Sequence, residues 1–201
     1  TFVGFSAGNA TNSGNDLTPY KNAISTVSNA DETDINMLIL PGINSSDHPK
    51  VHVKARDVIE DRADTFYIFD AGNYNATISS WTSQIETEDT NYSSTYFPWV
   101  QIFDDENNKN VWVPPSVVIP GVIAFTDKVA HPWFAPAGLN RGGLTEVIMA
   151  KERLTHAERD TLYEARVNPI ATFPGEGVVV WGQKTLQGKP SALDRVNVRR
   201  L

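Results

Sequence analysis

Thr65-Phe66-Tyr67-Ile68-Phe69-Asp70-Ala71-Gly72 is the stretch from which the rest of the chain is best read. Thr65 to Phe69 is built from residues that suit a pleated strand, and Asp70-Ala71-Gly72 closes it with turn formers. An apolar run without alternation marks a strand covered on both faces. On its N-terminal side, Val51 to Arg62 carries Val51, Ala55, Val58 and Ile59 on one helical face. On its C-terminal side, a helix of about Ala76 to Thr87 does the same with Ile78, Trp81 and Ile85. One unit further upstream, Thr18 is placed to cap a helix with Pro19 at its first position, and Tyr20, Ala23, Ile24 and Val27 keep helical spacing. The acidic run Asp31-Glu32-Thr33-Asp34 ends that helix, and Ile35 to Leu40 follows as a strand closed by Pro41-Gly42. Phe2 to Phe5 reads as the end of an earlier strand, followed by a polar loop from Ala7 to Asp16. Downstream, Tyr96 to Phe103 is a third strand ending in Asp104-Asp105. Helices alternating with near-continuous apolar strands predict an α/β fold. Its sheet is mostly parallel, with helices on both faces and right-handed crossovers.

The second half is less regular. After a turn at Asn107-Asn108-Lys109-Asn110, Val111-Trp112-Val113 is a short strand ending in Pro114-Pro115. Ser116 is the expected cap of a helix reaching about Val129, but Pro120 removes a hydrogen bond, so that either the helix begins near Pro120 or its first turn is irregular. Pro132-Trp133-Phe134-Ala135-Pro136-Ala137-Gly138-Leu139-Asn140-Arg141-Gly142-Gly143 can be neither regular helix nor strand, being pinned by prolines and loosened by glycines. A loop so stiff and aromatic reads as a fitted part rather than a connector. Leu144 to Leu154 is partly extended, and Thr155-His156-Ala157-Glu158 matches a capping box whose helix ends before Asn168-Pro169. Ile170 to Phe173 and Val178 to Gly182 form short strands around the Pro174-Gly175-Glu176-Gly177 turn, and Asp194 to Leu201 is expected to be a last strand.

Composition narrows the function classes. The 201 residues support one large domain or two small ones. The chain contains no cysteine, which removes disulfides and Cys-based zinc sites. It has no apolar run of the roughly 18 residues that a membrane span needs. A net charge of −7 argues against nucleic-acid binding, although the C-terminal end gathers Arg195, Arg199 and Arg200. The acidic clusters at 31–34, 86–89 and 104–106 are expected on solvated loops. Sequons at Asn9, Asn44, Asn75 and Asn91 are read as chance in an Asn- and Thr-rich chain. The start at Thr1 and the stop after Val198-Arg199-Arg200-Leu201 are read as the cut ends of a longer, multidomain chain.

Three constellations carry possible chemistry. Gly4-Phe5-Ser6-Ala7-Gly8 matches a nucleophile elbow, but no helical pattern follows the serine as that motif requires. Asp70 and Asp104-Asp105 are expected at the carboxyl ends of neighbouring strands, where open α/β sheets bind ligands and where carboxylates could hold Mg²⁺. The plainer reading is that Asp ends strands and starts turns. His48 and His52 are four apart, but Pro49 places His48 ahead of the helix, and the expectation is no metal and no cofactor. His131 and His156 read as structural. Trp112, Trp133 and Trp181, with Phe134 and Phe173, read as packing rather than a stacking platform.

The Pro-Ala-Gly-Leu-Asn-Arg-Gly run at 136–142 resembles the signature loop of the tail-sheath proteins of contractile-tailed bacteriophages. Asp34 to Gly42, with its Leu38-Ile39-Leu40-Pro41-Gly42 ending, is similar to that family's first core strand. Val113-Pro114-Pro115-Ser116, with Gly121-Val122 and Thr126-Asp127, is similar to the helix before its loop. Asn168-Pro169-Ile170, Phe173-Pro174-Gly175-Glu176-Gly177, Val180-Trp181-Gly182-Gln183-Lys184-Thr185-Leu186 and Val196-Asn197-Val198-Arg199-Arg200-Leu201 continue the likeness in order. Lys184, where arginine is expected, and Pro120 depart from the pattern. The resemblance implies a structural protein rather than an enzyme. Such a subunit forms stacked hexameric rings around a tail tube and contracts to drive the tube through the host envelope. Its partners would be other sheath subunits, the tube, the baseplate and the tail terminator, with no nucleic acid and no membrane insertion. Its place would be the virion tail, after assembly in the host cytoplasm. Residues 1–201 would be the core domain, with linking regions at both ends absent. The residues implied in structure or interaction are Trp133, Pro136, Gly138, Asn140, Arg141, Gly142, Trp181, Arg199 and Arg200. The three arginines are expected to make charge-assisted contacts, within the core or to a neighbour. A tailocin, type VI or extracellular injection sheath is the alternative within the class. A hydrolase or Mg²⁺-dependent enzyme is the alternative outside it.

Overall fold

The computed structural model describes residues 18–200. The strand end at Phe2–Phe5, the loop at 7–16 and the elbow pattern around Ser6 lie outside the described residues. The chain runs α1 (Thr18–Thr26), β1 (Met37–Asn44), α2 (Pro49–Arg62), β2 (Phe66–Asp70), α3 (Ile78–Ile85), β3 (Ser93–Phe97), β4 (Val100–Asp104) and β5 (Lys109–Val113). It continues with α4 (Pro115–Val129), β6 (Val147–Ala150), α5 (His156–Glu164), β7 (Asn168–Phe173), β8 (Gly177–Val180), a 3₁₀ turn (Ala192–Asp194) and α6 (Val196–Arg199). Five strands form one sheet in the order β1-β2-β3-β7-β8, and three form another in the order β5-β4-β6. In the large sheet β1, β2, β3 and β7 are parallel, and β8 returns antiparallel on β7.

All five residues of β2 are buried, as a strand sandwiched between two layers must be. Tyr67 and Phe69 face a core with Val51, Ala55 and Ile59 of α2, Trp81 and Ile85 of α3, and Leu162 of α5. Phe66 and Ile68 face a second core with Ile119, Val122 and Ile123 of α4 and with Val100, Val113 and Val147 of the small sheet. Period-two alternation along one strand thus supplies both cores. Helices cover one face, and α4 with the antiparallel sheet covers the other. Gly72 makes the first of these cores possible, because a Cβ there would meet the Ala76 Cβ at 2.6 Å and the Trp81 ring at 3.0 Å.

The structure corrects several expectations about where elements begin and end. The strand at 96–103 is two strands: β3 pairs in the large sheet, and after the cis Phe97-Pro98 bond β4 joins the small one. Both halves are apolar, so composition carries no trace of the change of sheet. The first strand does not stop at Pro41-Gly42 but passes through them to Asn44, with a register shift. It lies at the sheet edge, where a missing N–H breaks no ladder. Pro120 sits inside an unbroken α4, and Ser116 lies within that helix, with Pro114 at the cap position. The segment expected as a last strand is none over its described residues, 194–200. It turns through the 3₁₀ element into α6, with Val196 buried and its N–H donated to the Gln183 carbonyl at 2.9 Å.

Candidate functional site

The loop between α4 and β6 divides into two parts. The first displays side chains that the sequence reads as packing: Trp133 is 51% and Phe134 38% exposed, and Trp133 stacks on His131 with ring centroids 4.2 Å apart. The second is fixed by its backbone. Gly138, at φ 85°, donates to the Val180 carbonyl at 2.9 Å, and Gly142 donates to the Gly138 carbonyl at 2.7 Å. Val180 donates back to Gly142 at 2.7 Å, and Leu144 to Val178 at 2.9 Å. Gly143 bridges Val179 in antiparallel sense, so this part of the loop lies along β8 as a partial sixth strand. An otherwise open sheet edge is thereby covered.

The glycines of the loop differ in kind. Gly138 supplies a left-handed conformation. Gly142 supplies space: a Cβ would meet the Val180 carbonyl oxygen at 2.6 Å and the Gly138 nitrogen at 2.8 Å. Arg141 turns inward on the loop itself, its Nε donating to the Ala135 carbonyl at 3.2 Å and its guanidinium lying 4.8 Å from the Phe134 ring centre. Pro136 is buried and Asn140 is exposed at the turn. Trp181 follows β8 directly, 42% exposed and packed on Phe173 at 4.7 Å between ring centres.

The C-terminal arginines make charge-assisted and ring contacts inside the fold. Arg200 reaches both oxygens of Asp127 in α4, at 3.2 and 2.5 Å. Arg199 lies over the Tyr92 ring at 3.6 Å and donates to the Ala63 carbonyl at 3.1 Å. With Asn197 donating to the Trp133 carbonyl at 2.7 Å, the C-terminal end ties the loop, α4 and the α2–β2 connection together.

The acidic corner is not assembled. Asp104 lies in the small sheet, in the β4–β5 hairpin, where Asn107 and neighbouring backbone N–H groups hold its carboxyl below the usual range. Asp70 is 1% exposed and accepts from the Ser116 N–H at 3.1 Å and the Ser116 hydroxyl at 2.6 Å. A carboxylate from β2 thus caps the N-terminus of α4 across the core, the task that sequence reasoning assigns to Ser116. Burial pushes its pKa up to about 7, partly opposed by the two Ser116 hydrogen bonds. His48 and His52 do not converge either: His52 packs on Phe69 at 4.3 Å, with Glu88 beside its Nε2 at 3.5 Å. Among the described residues no three His, Cys, Asp or Glu side chains are grouped to hold a metal.

Three residues to which the sequence assigns no site role act as clamps. Arg62 donates to the carbonyls of Val27 and Thr33 at 2.6 and 2.8 Å, holding the α1–β1 connection. Arg166, at φ 66°, donates to the carbonyls of Glu88 and Ile85 from a left-handed position. Asn168, fully buried, donates to Thr95 and Lys184 carbonyls and accepts the Lys184 N–H at 2.6 Å. For Asn168 a signal existed, since the residue before Pro169 is held extended and an amide there can brace two strands. Lys184 itself donates to the Tyr163 carbonyl at 2.9 Å and sits 4.0 Å from that ring's centre, contacts a lysine makes without a guanidinium fork.

Comparison with known proteins gives a consistent result. The family model for the phage tail sheath protein central domain matches residues 13–186. The tail sheath protein of Vibrio phage KVP40 is 39% identical over 142 residues, covering 65% of this chain and 21% of that protein. That of Enterobacteria phage T4 is 43% identical over 99 residues, covering 49% of this chain and 15% of that protein. The chain therefore spans about a fifth or less of the length of these relatives. Among solved structures, the sheath of the extracellular contractile injection system PVC in its contracted state superposes with a TM-score of 0.69 at 24% identity. That superposition covers 88% of this chain and 47% of that one. The contracted helical sheath of the anti-feeding prophage gives 0.67 at 24% identity, covering 92% and 48%. At those identities the likeness is one of fold.

Proposed function

The chain belongs to the phage tail sheath family, matching its central domain, and on that premise we propose that it is the rigid body of a contractile sheath subunit. Copies would stack as hexameric rings around a tail tube, attach to a baseplate and a terminator, and contract to drive the tube through the host envelope. The observation that carries this reading is the match over residues 13–186, joined by 39% identity to a tail sheath protein over most of the same span. The physical character of the fold supports it. Contraction moves rigid bodies about linkers and exchanges one set of contacts for another, which suits two cores on one shared sheet and loops pinned by backbone hydrogen bonds.

Residues 1–201 form the core domain in this reading, and the linking regions lie in the remainder of a longer subunit. Pro136, Gly138 and Gly142 shape the signature loop. Trp133, Asn140 and Trp181 face a neighbour, Arg141 braces the loop beside them, and Arg199 and Arg200 hold the C-terminal end against the core. The subunit would act in the virion tail after assembly in the host cytoplasm. We read the chain as structural and not catalytic, since Asp70 is committed to capping α4 and Asp104 stands in the other sheet. A sheath of an extracellular injection system is the second reading, favoured by the shared fold with two such sheaths. The higher identity to phage proteins favours the tail.

Negative-stain electron microscopy of the whole subunit at high concentration tests the proposal. Hollow tubes or stacked rings are the expected result. Uniform small particles at every concentration would overturn it.

A further inference from the structure

We infer that the aromatic loop of one copy docks on the β4–β5 hairpin of the next, in a head-to-tail contact matched in charge. The inference rests on the sheath reading and names the surfaces by which copies meet.

Four large apolar side chains lie exposed within ten residues: Phe125 at 51%, Val129 at 55%, Trp133 at 51% and Phe134 at 38%. Trp and Arg are the residues that most often anchor protein interfaces, and here Arg141 lies over Phe134 at 4.8 Å. Lys128 stands exposed in the last turn of α4 and Arg141 lies beside the rings, with Glu146 in the groove next to Phe125, in a chain of net charge −7. Copies of an acidic protein repel one another unless opposite charges are brought together at their contact.

The β4–β5 hairpin has the complementary character. Its tip carries Asp104, Asp105 and Glu106, and Phe103 at its base is 46% exposed. Met149, opposite Gln101 in the β4–β6 ladder, is 48% exposed on the same small sheet. The hydrogen bonds of the Asp104 carboxylate stay within the hairpin, going to Glu106 and Asn107. Those of the Arg141 guanidinium stay within the loop. An acidic tip beside apolar side chains thus faces solvent in one place, and an aromatic patch carrying Lys128 and Arg141 does so in another. Because the two surfaces differ, their pairing is heterologous, the kind of contact that closes into rings or extends into helices. The committed occupant is a second copy of this chain.

Charge exchange in the whole subunit tests the pairing. Lys128→Glu with Arg141→Glu reverses the loop, and Asp105→Lys with Glu106→Lys reverses the tip. Each double variant alone should need roughly tenfold or more protein to polymerise in a sedimentation assay, as like charges meet at every contact. An equimolar mixture of the two should regain wild-type polymerisation, since each then meets its opposite on both sides. Thermal melts of each variant check folding, and Lys128→Glu alone serves if Arg141→Glu loosens the loop. Folded variants that polymerise like wild type, or a mixture that shows no recovery, would overturn the pairing. A wild-type subunit that never polymerises would instead overturn the sheath reading.

Discussion

Asp70 and Trp133 flank opposite ends of α4, and the fold treats them in opposite ways. At the N-terminal end the polar group is sealed: Asp70 is 1% exposed and both its oxygens are occupied by Ser116. At the C-terminal end apolar rings are displayed, while the Trp133 carbonyl beneath them is held by Asn197. Both places concentrate residues that sequence reasoning marks for function. One proves to be internal joinery, in which a strand caps a helix. The other separates backbone from side chain, so that the main chain completes a sheet edge and the rings remain free for contact. A residue's chemical promise is therefore no guide to its use until its burial and partners are known.

The sharpest test of that separation is Gly142→Ala. The added Cβ meets backbone atoms at 2.6 and 2.8 Å that no rotamer change relieves. A loss of about 3 kcal/mol is expected, read as a lowered melting temperature. Gly143→Ala, with open space around it, should change stability by no more than about 1 kcal/mol. Equal effects of the two would break the account of the loop as a fitted sheet edge.

At the sealed end, Ser116→Ala removes a donor from a buried carboxylate and should cost about 2 kcal/mol. Asp70 also sets a pH dependence of definite sign. Its folded pKa, near 7, lies above its unfolded value, so its contribution to stability is fully present below about pH 4 and lost as pH rises through 7. The chain should thus lose stability from this group between those limits, and Asp70→Asn should remove that part of the slope in denaturant titrations. A wild-type slope unchanged by the substitution would mean that Asp70 does not titrate in this range.

Smaller effects belong to the exposed end. Arg200→Met breaks a largely sheltered ion pair with Asp127 and should cost about 1 kcal/mol in a urea melt. Trp133→Ala should alter stability least, by about 0.5 kcal/mol, while weakening polymerisation of the whole subunit. A large loss of stability at Trp133 with normal polymerisation would reverse the roles assigned to the two ends.

Which parts were legible follows from the range of the interactions that set them. The capping box at Thr155 and Glu158 forms as its spacing predicts, with Thr155 N–H donated to Glu158 at 2.8 Å. The buried face of α2 contains the apolar residues that its periodicity marks, and β2 is the covered strand that its unbroken apolar run implies. These depend on neighbours within one or two turns, or on a strand's own pattern. The signature loop was legible as irregular and aromatic. Its pairing with β8 was not, because Gly142 and Val180 meet across nearly forty residues of chain. The break between β3 and β4 was hidden since Tyr96 and Val100 are buried alike in the same core.

Neighbouring residues along the chain set the alternation of helix and strand, the apolar faces, the local caps and the stiffness of the loop at 132–143. The sequence also carried the family likeness, since motifs in a fixed order survive as sequence. Tertiary structure alone decided which strands share a sheet, that Asp70 caps α4, that Pro120 is tolerated inside that helix, and that the chain end winds into α6. The physical reason is common to all four. Local conformation is set by residues that are neighbours along the chain. Each of these outcomes depends on a partner distant in sequence, or on packing that compensates a local cost, and such terms exist only once the fold has brought the parts together.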